Sequence, residues 1–137
     1  MVDYSGYKDM TFEKKGRVLT WTFNKPDVLN AMTEEMHEET SRAVYDIGMD
    51  HDVDVVVITG AGRAFSAGGD IGGMRKMLDE PTLFETSILE AKKIVFGLLD
   101  CEKILIAKVN GDAVGLGATI ALFCDMIIAA DHARFGD

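Results

Sequence analysis

The stretch VDVVVITGAGRAFSAGGD, residues 53–70, constrains the fold more than any other part of the chain. An apolar, β-branched run (Val55, Val56, Val57, Ile58) meets Thr59 and then a loop holding Gly60, Gly62, Gly68 and Gly69. A run of that kind without alternation reads as a strand buried on both faces, as in a parallel or layered sheet. The glycines permit positive φ and let backbone N–H groups approach a ligand with no Cβ in the way. Phe65 and Ala67 place apolar surface in the same loop, so it is not a purely polar phosphate cradle. Residues 104–125 repeat the plan: a strand (ILIAKV), a glycine loop (NGDAVGLG) and a helix of small residues. The expectation is two strand-to-glycine-loop edges facing one ligand.

A chain of 137 residues fits one domain, here residues 1–137, with a real core. The formal net charge of −9 argues against nucleic acid as a partner, because phosphate neutralisation needs a basic face. A small anionic ligand is not excluded, since a few local N–H groups hold one despite the global charge. Cys101 and Cys124 lack metal-type spacing and read as reduced structural thiols of a cytoplasmic protein, with no metal expected. The N-terminus has no secretory pattern, and no apolar run approaches the roughly 20 residues of a membrane span.

Along the chain, residues 10–15 and 17–24 alternate around Gly16 and read as a hairpin, with Leu19, Trp21 and Phe23 on the core face. Pro26 and Asn30 then mark a turn. Thr33 is an N-cap candidate, with Glu34 and Glu35 in the first turn of a helix running to about Met49. Met36, Thr40, Ala43, Val44 and Ile47 form its buried stripe, while His37 and the neighbouring glutamates fall on a solvated face. His51 reads as exposed. IGGMRKMLDE is a short, glycine-weakened helix, and Pro81 opens a longer one whose stripe is Phe84, Ile88, Ala91, Val95 and Leu98. The helix Leu116–Phe123 precedes another buried strand, Met126–Ala130, and the last residues begin a new β element. The order β-β-α-β-α-β-α-β describes one α/β body.

The chemistry of the loops rests on where N–H groups point. Gly68–Gly69–Asp70 opens toward the IGGM helix, and Gly115–Leu116–Gly117 begins a helix whose first N–H groups lack an intrahelical partner. If they converge, two donors face one oxygen: an oxyanion hole, in which one donor is typically worth about 10²–10³ in rate. Alternatively, both loops are simply tight turns under a sheet. Nucleotide motifs fit poorly: GAGRAFSAGGD lacks the Lys-Ser/Thr of a P-loop, and Ile120 falls where the dinucleotide fingerprint wants glycine or alanine.

These residues resemble the enoyl-CoA hydratase/isomerase (crotonase) superfamily. NKPDVLNAM is similar to its N-R-P-x-x-L-N-A-L segment, VVVITGAGRAFSAGGDI to its V-x-x-T-G-x-G-x-A-F-x-A-G-A-D-[LI] signature, and AKVNGDAVGLGATIALFCDMIIAADHARFG to the block that follows. The resemblance runs from about Thr11 onward. It implies a spiral of ββα units, of which this chain carries the N-terminal part, and assembly as a homotrimer or hexamer. It also implies an acyl-CoA thioester between the two glycine loops, coenzyme A being part of the substrate and no further cofactor being needed. Carried over by position, the oxyanion donors are the backbone N–H groups of Gly69 and Leu116. Val28, Asn30, Ala64, Ser66, Ala67, Gly68, Asp70 and Ile71 lie along the CoA and acyl path, with Gly115 beside the second donor.

Two departures bear on the reaction. The family glycine at the second donor is Leu116, which keeps the N–H but narrows the acyl cavity. The glutamate that hydratases carry three residues later is Thr119, whose hydroxyl is no useful general base near neutral pH. Losing such a group removes about 10²–10⁴ of rate. The family's second glutamate falls beyond Asp137. Asp70, Asp112 and Asp125 are the nearby acidic residues; Asp70 and Asp125 read as structural, and Asp112 is the candidate for a place near the acyl group. Isomerisation, decarboxylation, thioester hydrolysis and C–C cleavage therefore stand beside hydration. An acyl-CoA-binding protein without hydratase activity is the alternative from another class, and a nucleotide-binding α/β domain a third.

Overall fold

The computed structural model describes residues 1–137. The strands are β1 (Met10–Lys15), β2 (Val18–Phe23), β3 (Val55–Gly60), β4 (Ile104–Val109), β5 (Ala113–Val114), β6 (Met126–Ala129) and β7 (Phe135–Gly136). The helices are α1 (Glu34–Met49), α2 (Ile71–Asp79), α3 (Pro81–Asp100) and α4 (Leu116–Leu122). One five-stranded sheet has the order β1-β2-β3-β4-β6, and β5 and β7 form a separate parallel pair. The hairpin β1–β2 is antiparallel, with Gly16 in the left-handed region at its turn. Every later pairing in the large sheet is parallel, as helical crossovers require.

Register explains the core. Leu19 lies beside Val56 and Trp21 beside Ile58, while Val56 and Ile58 lie beside Leu105 and Ala107. These residues share one sheet face and are all buried, joined by Val44, Ile47, Ile94 and Leu98 of α1 and α3. The stripe expected on α1 is the buried one, and Thr33 caps the helix by accepting from the Met36 N–H at 3.2 Å. Glu39, expected on a solvated face, is instead buried and accepts from the backbone N–H groups of Lys8 and Asp9.

Three other expectations change. β3 is buried on one face only: Val56 and Ile58 are sealed, but Val55 and Val57 are half-buried, because both helices cover the same side of the sheet. β6 is exposed along its whole length rather than buried, because it is an edge strand with nothing packed over it. The stripe of α3 is rotated: Ile94 and Leu98 are buried, whereas Phe84 and Ile88 are exposed. Close seating of Gly97 on α1 sets that rotation, since a Cβ there would stand 2.6 Å from a Val44 methyl carbon. No helix is long and apolar enough to cross a membrane.

Candidate active site

The first glycine loop is held from two sides by asparagine side chains. Asn30, with positive φ after the short turn at Pro26–Val28, accepts from the Lys25 N–H and donates to the carbonyls of Ala61 and Ala64. Asn110, at the end of β4, accepts from the Gly60 N–H and donates to the carbonyls of Gly62 and Ala64. Ser66 then donates to the Asn30 carbonyl at 2.8 Å and accepts from the Gly68 N–H at 3.2 Å. Buried polar groups are thus paired throughout, which fixes the loop in one shape.

Backbone bonds stitch this loop to the second. Ser66 N–H donates to the Asp112 carbonyl, and Val114 N–H donates to the Ser66 carbonyl. The approach is close enough to exclude side chains at two points. A Cβ on Gly117 would stand 2.7 Å from the Ser66 carbonyl, and one on Gly68 would stand 2.5 Å from the Val114 carbonyl. Gly68 also has φ +80, a conformation that glycine adopts without strain.

On the outer side, Met32 N–H donates to the Gly68 carbonyl and Asp70 N–H to the Met32 carbonyl. In this parallel bridge Met32 uses groups of residues 68 and 70, so the N–H of Gly69 faces away from Met32, toward the second loop. The Gly69 nitrogen lies 4.0 Å from where a Cβ on Gly115 would sit. Leu116 is the first residue of α4, and Gly115 sends its own N–H to Gly136. Neither the Gly69 N–H nor the Leu116 N–H donates to any acceptor of the protein. Two open donors therefore border a groove of about 600 Å³. Met32, Met74, Met77, Leu78, Leu83 and Phe84 supply its apolar wall. The Met74 methyl lies directly against Gly69. Asp70, which caps α2 by accepting from the Gly73 N–H, sits at the rim.

Of the residues expected at the site, Gly69, Asp70, Gly115 and Leu116 line this groove. Asn30, Ala64, Ser66 and Gly68 do not face it; they are sealed, and they build the loop instead of presenting a surface to a ligand. Val28 and Ile71 are exposed and Ala67 half-buried, all outside the groove lining. Thr119 turns its hydroxyl back onto the Gly115 carbonyl at 3.2 Å, so its side chain serves the loop. Asp112 is not in the groove either: Arg134 grips both its oxygens, at 3.0 and 2.6 Å, and that pairing holds its carboxyl below the usual value. Asp125 accepts from the Leu105 N–H, a structural role as expected.

Sequence reasoning missed Met32, Met74 and the pair His37–Glu90. His37 is not on a solvated face; its Nδ1 lies 2.5 Å from a Glu90 oxygen, and both side chains are largely covered by the groove walls. No local signal on α1 pairs it with a glutamate 53 residues away. Cys101 and Cys124 are free, and burial pushes the Cys124 thiol up to about 12. No cluster of three His, Cys, Asp or Glu side chains is placed to hold a metal ion.

The model of the family described as enoyl-CoA hydratase/isomerase matches residues 13–137, nearly the whole chain. The chain belongs to the enoyl-CoA hydratase/isomerase family. A probable mitochondrial enoyl-CoA hydratase of Dictyostelium discoideum is 40% identical over 126 residues, covering 92% of this chain and 44% of the relative. A short-chain-enoyl-CoA hydratase of Clostridium acetobutylicum is 37% identical over 138 residues, covering 93% and 49%. Among solved structures, an enoyl-CoA hydratase/isomerase from Mycobacterium paratuberculosis superposes with a TM-score of 0.93 at 33% identity, over 96% of this chain and 53% of that one. The fold is therefore that of the crotonase superfamily, and the chain spans about half the length of the family relatives it matches.

Proposed function

We propose that this chain carries the acyl-CoA site of an enoyl-CoA hydratase/isomerase-type enzyme. In this reading the N–H groups of Gly69 and Leu116 bind the thioester oxygen and stabilise the enolate-like charge that develops on it. One observation carries the reading: two unpaired backbone donors on stitched loops open onto the same apolar groove. Fixed amide dipoles need little reorganisation as charge forms, so the site suits any reaction that passes through a thioester enolate. Names of relatives favour hydration. The setting proposed is the cytoplasm and the assembly a homotrimer or hexamer, with coenzyme A entering as part of the substrate.

A second reading keeps the binding and drops the hydration. It is favoured by Thr119, whose hydroxyl is committed to the Gly115 carbonyl where a hydratase would present a carboxylate. The test is calorimetric titration with saturated acyl-CoA thioesters, with NAD and ATP as controls, followed by a mass-spectrometric turnover screen on enoyl-CoA thioesters. Selective acyl-CoA binding together with turnover that Gly69→Pro abolishes is the expected result. Binding without any product would favour the second reading, and unchanged turnover in Gly69→Pro would reject the donor assignment.

A further inference from the structure

The groove has one feature that thioester binding does not use. Its apolar wall is interrupted by His37 of α1 and Glu90 of α3, 2.5 Å apart, with Ser87 alongside. Glu90 engages Nδ1 and so fixes the ring, while Nε2 makes no hydrogen bond within the protein. The Nδ1 contact clasps α1 to α3, the two helices that wall the groove here, and leaves Nε2 over.

Distance decides what the free nitrogen can do. Met32 stands across a bridge from Gly69, a strand spacing of about 4.8 Å. From Thr33 to His37 the chain climbs one helical turn, about 5.4 Å. His37 thus sits one helical turn further along α1 than the residue that follows the bridge to Gly69. A base acting on the carbons next to the thioester must come within about 3 Å of the proton it takes. The position suits contact with the acyl chain several carbons further out.

Charge decides which group it meets. The groove is lined by Glu34, Asp70 and Glu90 and by no lysine or arginine, so an acyl carboxylate is repelled. Glu90 is taken up by His37 and Asp70 by the Gly73 N–H, so the polar atom left open toward the acyl chain is the nitrogen Nε2, an uncharged acceptor or a donor. A hydroxyl is different. It can donate to Nε2 of a neutral imidazole and accept from Nε2–H of an imidazolium, so it is matched in either state. Resting on the acyl-CoA reading, we infer that His37, oriented by Glu90, is a specificity-determining residue that recognises a neutral hydroxyl carried on the acyl chain away from the thioester.

The test compares two acyl-CoA thioesters of equal saturated chain length, one plain and one hydroxylated toward its far end, by calorimetry on the wild-type chain and on His37→Phe. The wild type should bind the hydroxylated ligand about five- to tenfold more tightly, the worth of one hydrogen bond. His37→Phe should lose that preference while keeping or improving affinity for the plain chain. Glu90→Gln, which removes the carboxylate but keeps the shape, should reduce the preference and provides a readout should His37→Phe fold poorly. A wild type that binds both ligands equally, or a preference unchanged in both variants, overturns the assignment and leaves thioester binding intact. If neither thioester binds, the acyl-CoA reading itself fails and the assignment fails with it.

Discussion

Asp50 shows at the scale of one residue how this chain compensates a buried charge. It sits just past α1 and is sealed, and burial works against its charged form. Hydrogen bonds from Lys14 at 2.8 Å, the Asp52 N–H at 3.0 Å and the Tyr4 hydroxyl at 2.9 Å outweigh that penalty and hold the carboxyl below its ordinary 3.8. With the folded value lowered, the unfolded chain takes up the proton first. The stabilisation is therefore complete above about 3.8 and is lost as pH falls through the lower folded value. Asp50→Asn should cost on the order of 2–3 kcal/mol at pH 7, since it leaves the Lys14 ammonium without its counter-charge. Urea titrations from pH 7 down to pH 2.5 check this: the gap between wild type and variant should close on the acid side. A gap that stays constant with pH would mean that the lost stability comes from shape and not from charge.

At the scale of elements, the geometry of the candidate site depends on how closely two loops approach. Much of this was legible. The β-branched run before Gly60, the Thr33 cap and the Gly115–Leu116 helix start are local signals, and each names a backbone conformation that the structure adopts. What local signals do not carry is which face a hydrophobic helix turns inward, as in α3, or which distant side chain meets His37. Nor do they tell a ligand-facing polar residue from a loop-building one, since Asn30 and Ser66 carry the same groups in either role. The stitching itself depends on Gly117, where an added Cβ would meet the Ser66 carbonyl and Cβ, both at 2.7 Å. Gly117→Ala should therefore lower stability by about 2 kcal/mol, because the forced separation outweighs the up to ~1 kcal/mol that alanine gains in a helix. Acyl-CoA affinity should fall with it as the two donors part. Denaturant unfolding paired with calorimetry checks both, and a variant as stable as wild type would mean the loops are looser than their spacing implies.

At the scale of the molecule, the unequal covering of the sheet leads to a prediction about assembly. Both long helices lie over one face, and the far edge ends in β6, whose residues are all exposed. Met126, Ile127 and Ile128 lie there, with Leu122 at the end of the preceding helix also exposed. Soluble monomers rarely present a contiguous apolar patch beside an unpaired strand edge, because such a surface templates pairing with another chain. The main-chain donors and acceptors on the free side of β6 give such pairing direction, and the side chains give it area. The chain alone should therefore associate through this edge, with a sedimentation coefficient that rises with concentration in the micromolar range. A single charge placed on the exposed strand opposes both contributions, since a lysine there must be desolvated to be covered. Ile128→Lys should leave the fold intact, because Ile128 is 60% exposed and contributes little to the core, yet return the chain to a monomer in sedimentation velocity. A wild type that stays monomeric at every concentration would show that the β6 edge is not an association surface. An Ile128→Lys variant that still associates would place the contact elsewhere on the molecule.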